Sequence, residues 1–204
     1  MKIAVLGDLH FVSPVDIFRK ALADRAHFSN AWPSFKKLIP IIRNESPDMV
    51  VSLGDIVDWY SDENRDFAIE LMEELKVSWC LTPGNHDFSM YKFEDDGCSP
   101  IHIHEDKAYS VTLAGWKQRD IKVNNSVIDA GDIGIILMNS ALRVMEPGTE
   151  KWLLKSTIGF KKKFFLLICL WMPPKLEPYY YPLNLARILK NMGIQTIRNF
   201  LRSV

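Results

Sequence analysis

The chain has 204 residues, 48% hydrophobic and 25% charged, which is the composition of a globular protein. Lys and Arg together number 25, as do Asp and Glu, so the zero net charge favours neither nucleic acid nor a membrane surface as a partner. Three cysteines without paired spacing form no disulfide framework, so we expect a reducing cytoplasm. No apolar run is long enough to span a bilayer and no linker divides the chain, so we expect a single domain over residues 1–204.

The first group of polar side chains follows a short apolar segment. Ile3 to Leu6 is an unbroken apolar run, typical of a strand that is covered on both faces. Asp8 and His10 come next, and an extended backbone would direct both to the same side. A carboxylate and an imidazole at the end of a strand suit a divalent transition metal, although an exposed loop with two incidental polar residues fits the same pattern. A polar loop from Phe11 to Asn30 follows, with a short helix over residues 15–23.

A second group of the same build follows the next strand. Met49 to Leu53 is a buried apolar run, and helical spacing predicts helices on either side of it, over residues 32–42 and 61–75. The run ends at a glycine, and Asp55 comes directly after it, so we predict that Asp55 binds the metal. Asp58 is either a hydrogen-bond acceptor behind the metal ligands or the cap of the next helix.

The third group lies in the segment Pro83-Gly84-Asn85-His86-Asp87. The apolar run before it, Val77 to Leu81, predicts another buried strand, and the Pro-Gly pair forces a tight turn. The turn presents an amide, an imidazole and a carboxylate in three consecutive positions. Folding alone rarely needs such a row, whereas a site for metal and phosphate oxygens does; the alternative is a turn in which Asn and Asp are ordinary turn formers.

Strands and helices alternate through this half of the chain. The alternation predicts parallel strands joined by right-handed helical crossovers. In such sheets, binding sites form at the carboxyl ends of the strands, which is where all three polar groups lie. Their joint occurrence is therefore stronger evidence for one common site than any one group alone.

The rest of the chain predicts a second set of strands. Residues 88–100 are loop-like, and the alternation in Ile101 to His104 puts His102 and His104 on one face of a strand, either as a metal-binding pair or as a solvent-facing stripe. The remaining predicted elements are strands over residues 109–113, 123–128, 133–138, 164–170 and 194–197 and helices over residues 149–156 and 185–193.

Three motifs occur in order, each after a predicted strand: Asp8-x-His10, Gly54-Asp55-x-x-Asp58 and Gly84-Asn85-His86-Asp87. This ordered set resembles that of the calcineurin-like metallophosphoesterases. The resemblance implies an α/β fold of two packed mixed β-sheets flanked by helices, a β-sandwich that is here cut short at its C-terminal end. It also implies a metal-dependent phosphoesterase that hydrolyses a phosphomonoester or phosphodiester with metal-activated water.

The resemblance assigns a role to each motif residue. It implies that Asp8 and His10 bind a first metal, that Asp55 bridges two metals and that Asn85 binds the second. It further implies that His86 faces the phosphoryl group and either protonates the leaving oxygen or stabilises its charge, while Asp87 orients His86. The expected cofactors are one or two divalent transition metal ions per chain, manganese, iron or zinc, and the expected substrate is a phosphate-ester small molecule or a nucleotide.

The later part of the chain departs from the family pattern. Trp171 stands where the family has a further metal-binding histidine, and no histidine follows His104, so the Gly-His-x-His motif is missing. We expect either a second metal site that is weak or completed by His102, His104 or another chain, or a catalytically weakened relative that acts as a metal- or phosphate-binding or protein-interaction module. A shortened sheet would also leave an exposed edge and favour a homo-oligomer.

Overall fold

The structure is a computed structural model that describes residues 1–22, 28, 30–139, 141–142 and 147–166. The helices and strands within these residues are, in chain order, β1 (Ile3–Leu6), α1 (Ala31–Asn44), β2 (Met49–Ser52), α2 (Asp62–Glu73), β3 (Trp79–Leu81), a short 3-10 helix (His86–Phe88), β4 (Met90–Phe93), β5 (Pro100–Ile103), α3 (Glu105–Gln118), β6 (Ser126–Ala130), β7 (Ile133–Leu137), α4 (Thr149–Ser156) and β8 (Lys162–Leu166).

The first sheet is built from the three strands that precede the polar motifs. Its order is β1-β2-β3, and both pairs are parallel, with Val5 opposite Val51 and Val51 opposite Cys80. Helices α1 and α2 make the two return crossings that parallel strands need. The carboxyl ends of all three strands therefore lie at one edge of the sheet, as the alternation of elements predicts.

A second sheet packs on the first. It has the order β6-β7-β8 and is mixed, because β6 and β7 are antiparallel while β7 and β8 are parallel. Val51 of β2 shares a buried cluster with Ile135 and Leu137 of β7, so apolar side chains of the two sheets face each other. Strands β4 and β5 form a separate two-stranded antiparallel hairpin. The predicted α/β fold with packed sheets and flanking helices is confirmed.

Three predicted elements need correction. Residues 109–113, predicted as a strand, lie within α3, whose buried residues Ala108, Thr112 and Gly115 recur at helical spacing. Residues 88–100, predicted as a loop, contain β4, which pairs with β5. Residues 15–22 form turns in place of the predicted helix. The predicted elements over residues 185–193 and 194–197, the end of that over residues 164–170, and Trp171 lie outside the described residues.

The helices of the described ranges include no segment with both the length and the apolar character needed to cross a membrane.

Candidate metal centre

The loops that follow β1 and β2 continue side by side beyond the sheet. The backbone N–H of His10 donates to the carbonyl of Asp55 at 2.8 Å, and that of Phe11 donates to Ile56 at 2.8 Å. One step earlier, the N–H of Asp8 donates to Gly54 at 3.3 Å. This pairing brings the first two polar motifs, which are far apart in the chain, into one place at the carboxyl edge of the sheet.

Three residues of these loops have a backbone conformation that side chains disfavour. Asp8, His10 and Asp55 have φ values of 51°, 46° and 47°, in the left-handed region. The expectation of an extended backbone at Asp8 and His10 is therefore wrong, although the two side chains do come together. Strained conformations of this kind persist where the surrounding structure requires them and are common at functional sites.

The side chains of these same residues form a compact set of candidate ligand atoms for a metal. One ligand atom from each of Asp8, His10 and Asp55 lies within 4.8 Å of the others. Nε2 of His10 is 4.0 Å from Oδ2 of Asp55. Asp8 is exposed, whereas His10 and Asp55 are only 9% and 5% exposed, so the group opens to solvent on one side. Two carboxylates and an imidazole fit a divalent transition metal.

Asp58 lies behind the group and contacts two imidazoles. Its carboxylate, on a residue 2% exposed, places Oδ1 3.0 Å from Nδ1 of His10. A carboxylate only accepts, so Nδ1 of His10 donates and Nε2 is left for a metal, the usual arrangement behind a metal-binding histidine. Helix α2 is capped by Ser61 instead, whose hydroxyl accepts from the N–H of Asn64 at 3.0 Å. Of the two roles predicted for Asp58, the structure supports the acceptor.

The charge around His10 explains its protonation behaviour. Burial lowers the pKa of His10, but the hydrogen bond to Asp58 and the negative charges of Asp55, Asp58 and Asp8 outweigh burial, so the pKa is raised above the ordinary value. Burial likewise raises the pKa of Asp55, against the opposing effects of His86 and His10. A cation between these side chains would relieve both effects, because it favours the carboxylate and the neutral imidazole.

His86 stands beside His10 and is fixed by the same acidic residue. Its Nδ1 is 2.7 Å from the backbone carbonyl of Asp58, and its ring lies at 81° to that of His10 with centroids 4.7 Å apart. A carbonyl oxygen only accepts, so Nδ1 carries the hydrogen and Nε2 is the nitrogen that can exchange a proton. The ligand atoms of His10, Asp58 and His86 also lie within 4.8 Å of one another, but hydrogen bonds already occupy them.

The role predicted for Asp87 needs correction, because its carboxylate does not contact the ring of His86. Oδ2 accepts from the N–H of Gly84 at 2.8 Å, and Oδ1 accepts from those of Ile56 and Val57 at 2.9 and 3.2 Å. Burial, together with the charge of Asp55, raises the pKa of Asp87 to about 7. Asp87 thus ties the third motif to the second through the backbone, and Asp58 is the residue that orients His86.

The third motif lies in close contact with Asp55. Oδ1 of Asp55 accepts from the backbone N–H of His86 at 3.0 Å, and a Cβ atom on Gly84 would overlap that same oxygen. Glycine is therefore required at this position for the turn to come so close. Asn85 lies in the same turn, half-buried, and its carbonyl accepts from Phe88 and Ser89. All the predicted site residues thus belong to one continuous region.

The sequence does not predict the contact between Phe28 and His10, and it does not decide whether His102 and His104 bind a metal. Phe28 stacks flat on His10, and no spacing in the loop that carries it indicates this. His102 and His104 face each other with ring centroids 4.4 Å apart, and His102 packs on Tyr91. Within the described part of the chain, the groups of three or more candidate ligands do not include this histidine pair.

Comparison with known proteins shows which family the chain belongs to. The model of the calcineurin-like phosphoesterase family matches residues 1–197. The chain belongs to that family. Membership implies divalent metal ions, and the Asp8, His10 and Asp55 group offers ligands for them.

Individual relatives add to this assignment. A protein of Coxiella burnetii named as a probable cyclic nucleotide phosphodiesterase is 31% identical over 87 residues, which is 43% of this chain. The match covers 32% of that protein, so the chain corresponds to about a third of its length.

Solved structures give the likeness of fold. A dimetal phosphatase from Danio rerio superposes with a TM-score of 0.53 at 13% identity, over 94% of this chain and 77% of that one. A purple acid phosphatase from yellow lupin seeds gives a TM-score of 0.43 at 12% identity, over 81% of this chain and 29% of that one. The Danio rerio structure supports the α/β fold of this family member.

Proposed function

We propose that the chain is a metal-dependent phosphoesterase that hydrolyses a phosphomonoester or phosphodiester with metal-activated water. The observation that carries this proposal is the convergence of Asp8, His10 and Asp55 at one edge of the sheet, with the His86 ring 4.7 Å from that of His10. Ligands for a cation and a proton-exchanging imidazole are thereby adjacent, and both are needed for phosphate-ester hydrolysis.

The same residues define where cations bind. Asp8, His10 and Asp55 hold the first ion, and Asp55 with Asn85 contributes to a second, with manganese, iron or zinc suited to these donors. When bound, such an ion neutralises phosphate charge and makes water a stronger nucleophile. In the neutral ring of His10, the hydrogen bond to Asp58 places the hydrogen on Nδ1 and leaves the Nε2 lone pair for a cation, and Asp87 fixes the turn that carries Asn85.

His86 supplies the proton in this proposal. Its Nδ1 donates to the carbonyl of Asp58, so the proton transferred to the leaving oxygen comes from Nε2. The carboxylate of Asp58 also lies beside this ring, with Oδ1 3.4 Å from Nδ1 of His86. Protonation of the leaving group by a positioned imidazole contributes roughly 10²- to 10⁴-fold to a rate.

The names of two similar proteins support a phosphate-ester substrate. One similar protein is named as a probable cyclic nucleotide phosphodiesterase and another as a dimetal phosphatase. A small phosphate ester or a nucleotide is therefore the substrate class that we propose, and the choice between monoester and diester is left to experiment.

An alternative function follows from the sequence beyond the described residues. Trp171 replaces a family histidine, and no histidine follows His104. The alternative is a catalytically weakened family member with an impaired second metal site, which binds metal or phosphate or a protein partner. Such a protein would bind Mn²⁺ at Asp8, His10 and Asp55 but would not turn over a phosphate ester.

Hydrolysis assays distinguish these two functions. The substrates are p-nitrophenyl phosphate and its bis ester, assayed with added Mn²⁺, and the variants are Asp55→Ala and His86→Ala. Asp129→Ala and Asp132→Ala are the controls, because these carboxylates lie at the turn between β6 and β7, outside the ligand groups. We expect activity in the wild type and the controls, and a loss of at least about 10²-fold in the two site variants. Catalysis that persists in both site variants would reject the proposed mechanism.

A further inference from the structure

Phe28 covers one face of a metal-binding histidine. Its ring stacks on that of His10 with a centroid distance of 4.3 Å and an angle of 21°. The His86 ring lies at 81° to that of His10 with centroids 4.7 Å apart, Asp58 contacts Nδ1 of His10, and Nε2 lies 4.0 Å from Asp55. Phe28 thus completes the enclosure of a ring that is left only 9% exposed.

The contacts of His10 restrict different motions. The hydrogen bond to Asp58 fixes which nitrogen carries the hydrogen, but the ring can still pivot about that bond. A flat ring against its face removes this pivot, because rotation would drive the imidazole edge into Phe28. Stacked aromatic pairs also have a preferred orientation beyond simple apolar packing. The plane of His10, and with it the direction of Nε2, is therefore set by Phe28.

The segment that leads to Phe28 is anchored independently of the metal ligands. Val12 and Phe18 share a buried cluster with Trp59, against which Tyr91 and Phe93 of β4 pack. Asp16 accepts from the Trp59 indole at 3.3 Å and from Ser61 at 2.6 Å. The beginning of this loop is thus tied to the hairpin and to the start of α2.

We propose that Phe28 is a positioning residue for the metal-binding His10. Its aromatic face holds the imidazole in the plane that aims Nε2 at the cation site. The inference rests on the proposed function, because it assumes that His10 binds a divalent metal. It assigns a role to a residue that lies outside all three motifs.

The test compares side chains of different shape at position 28. Phe28→Leu keeps an apolar side chain but loses the flat face, Phe28→Ala removes it, and Phe28→Tyr retains the ring. Phe160→Leu is the matched control, since Phe160 is a half-buried phenylalanine whose ring lies against Gly134 of β7, away from the loop that carries Phe28. Mn²⁺ affinity is measured by calorimetry. Proton NMR of the metal-free protein reports the ring-current shift of the His10 ring protons, and thermal unfolding checks the fold.

We expect Phe28→Leu and Phe28→Ala to raise the Mn²⁺ Kd about tenfold, as for other groups that orient metal ligands. The ring-current shift of His10 should be lost in both and kept in Phe28→Tyr, whose Kd should stay within about twofold of wild type. An unchanged Kd in Phe28→Leu would overturn the inference, as would equal weakening in Phe160→Leu. Failure of the wild type to bind Mn²⁺ would overturn the proposed function as well, whereas loss of turnover alone would not affect the inference.

Discussion

At the scale of single residues, Asp58 acts on two histidines at once. Its carboxylate accepts from His10 and its backbone carbonyl accepts from His86. The side chain is buried, so its charge acts on both rings with little screening by water. One acidic residue thus contacts both the proposed metal ligand and the proposed proton donor.

Asp58→Asn tests this double role. The amide keeps the size of the side chain but removes the charge, so we expect the Mn²⁺ Kd to rise roughly 10- to 100-fold. Turnover at saturating Mn²⁺ should fall as well, because His86 loses a charged neighbour. Asp66→Asn is the control, since Asp66 is a half-buried carboxylate that pairs with Arg65 and Arg119 outside the ligand groups. Equal weakening of Mn²⁺ binding in the control would show that Asp58 contributes only to folding.

Gly84→Ala tests how closely the third motif approaches Asp55. The added methyl group would overlap Oδ1 of Asp55, and the nearby backbone leaves it no space. We expect Mn²⁺ binding and turnover to be lost together while the protein still folds. Gly97→Ala provides a comparison for backbone strain alone, because Gly97 has a φ of 69° but nothing lies near an added Cβ. Full Mn²⁺ affinity in Gly84→Ala would contradict the geometry described for this turn.

At the scale of elements, α2 and α3 are joined by a buried polar contact. Nη1 of Arg65 on α2 donates to the Tyr60 hydroxyl at 2.9 Å and to the carbonyl of Gly115 on α3 at 3.1 Å. A Cβ on Gly115 would overlap the Tyr60 hydroxyl, so the helix and the ring are in direct contact. This contact between Arg65, Tyr60 and Gly115 holds the first turn of α2 against α3, a few residues after the second motif.

The buried Tyr60 hydroxyl in this contact makes the free energy of unfolding depend on pH in the alkaline range. Burial, followed by the hydrogen bond to Asp62, raises the pKa of Tyr60 to about 12. In the unfolded chain a tyrosine ionises near pH 10, so the unfolded state loses its proton first and the free energy of unfolding falls as pH rises from about 10 to about 12. The loss amounts to roughly 2–3 kcal/mol.

Urea unfolding at several alkaline pH values, compared with Tyr60→Phe, measures this effect. The variant lacks the titrating hydroxyl, so the difference in unfolding free energy between the two proteins should shrink as pH rises. A difference that stays constant across this range would show that Tyr60 titrates normally in the folded protein.

Some of these elements can be predicted from the local sequence, whereas others depend on contacts between distant segments. The strands β1 and β2 and the helix α2 are local patterns, and each appears where expected. The prediction that β1 is covered on both faces is wrong, because the side chain of Val5 is 48% exposed. Residues 109–113 were predicted as a strand because the segment is short and mostly apolar, whereas its buried neighbours at helical spacing appear only over the full length of α3. The left-handed backbone at Asp8 and His10 and the Phe28 stack depend on contacts between distant segments, which no local pattern encodes.

At the scale of the whole molecule, the site joins three segments of one sheet. Each motif follows a different strand, so a cation bound at this edge would connect β1, β2 and the turn after β3. A ligand that binds only the folded state raises the unfolding free energy by about 2.7 kcal/mol at a concentration 100 times its Kd. The metal is therefore expected to stabilise the entire fold.

Thermal unfolding with Mn²⁺ and with a chelator tests this linkage. The midpoint of the wild type should rise with Mn²⁺ and return to the metal-free value after EDTA, because the ion is removed from the folded state only. Asp55→Ala should show no such rise. An equal rise in Asp55→Ala would mean that Mn²⁺ binds elsewhere in the protein.

The most direct measurement of the central claim is the anomalous diffraction of a crystal grown with Mn²⁺. The account predicts a strong peak within coordination distance of Asp8, His10 and Asp55, with His86 beside it. A peak at another place in the molecule, or none at this edge of the sheet with Mn²⁺ in excess, would contradict it.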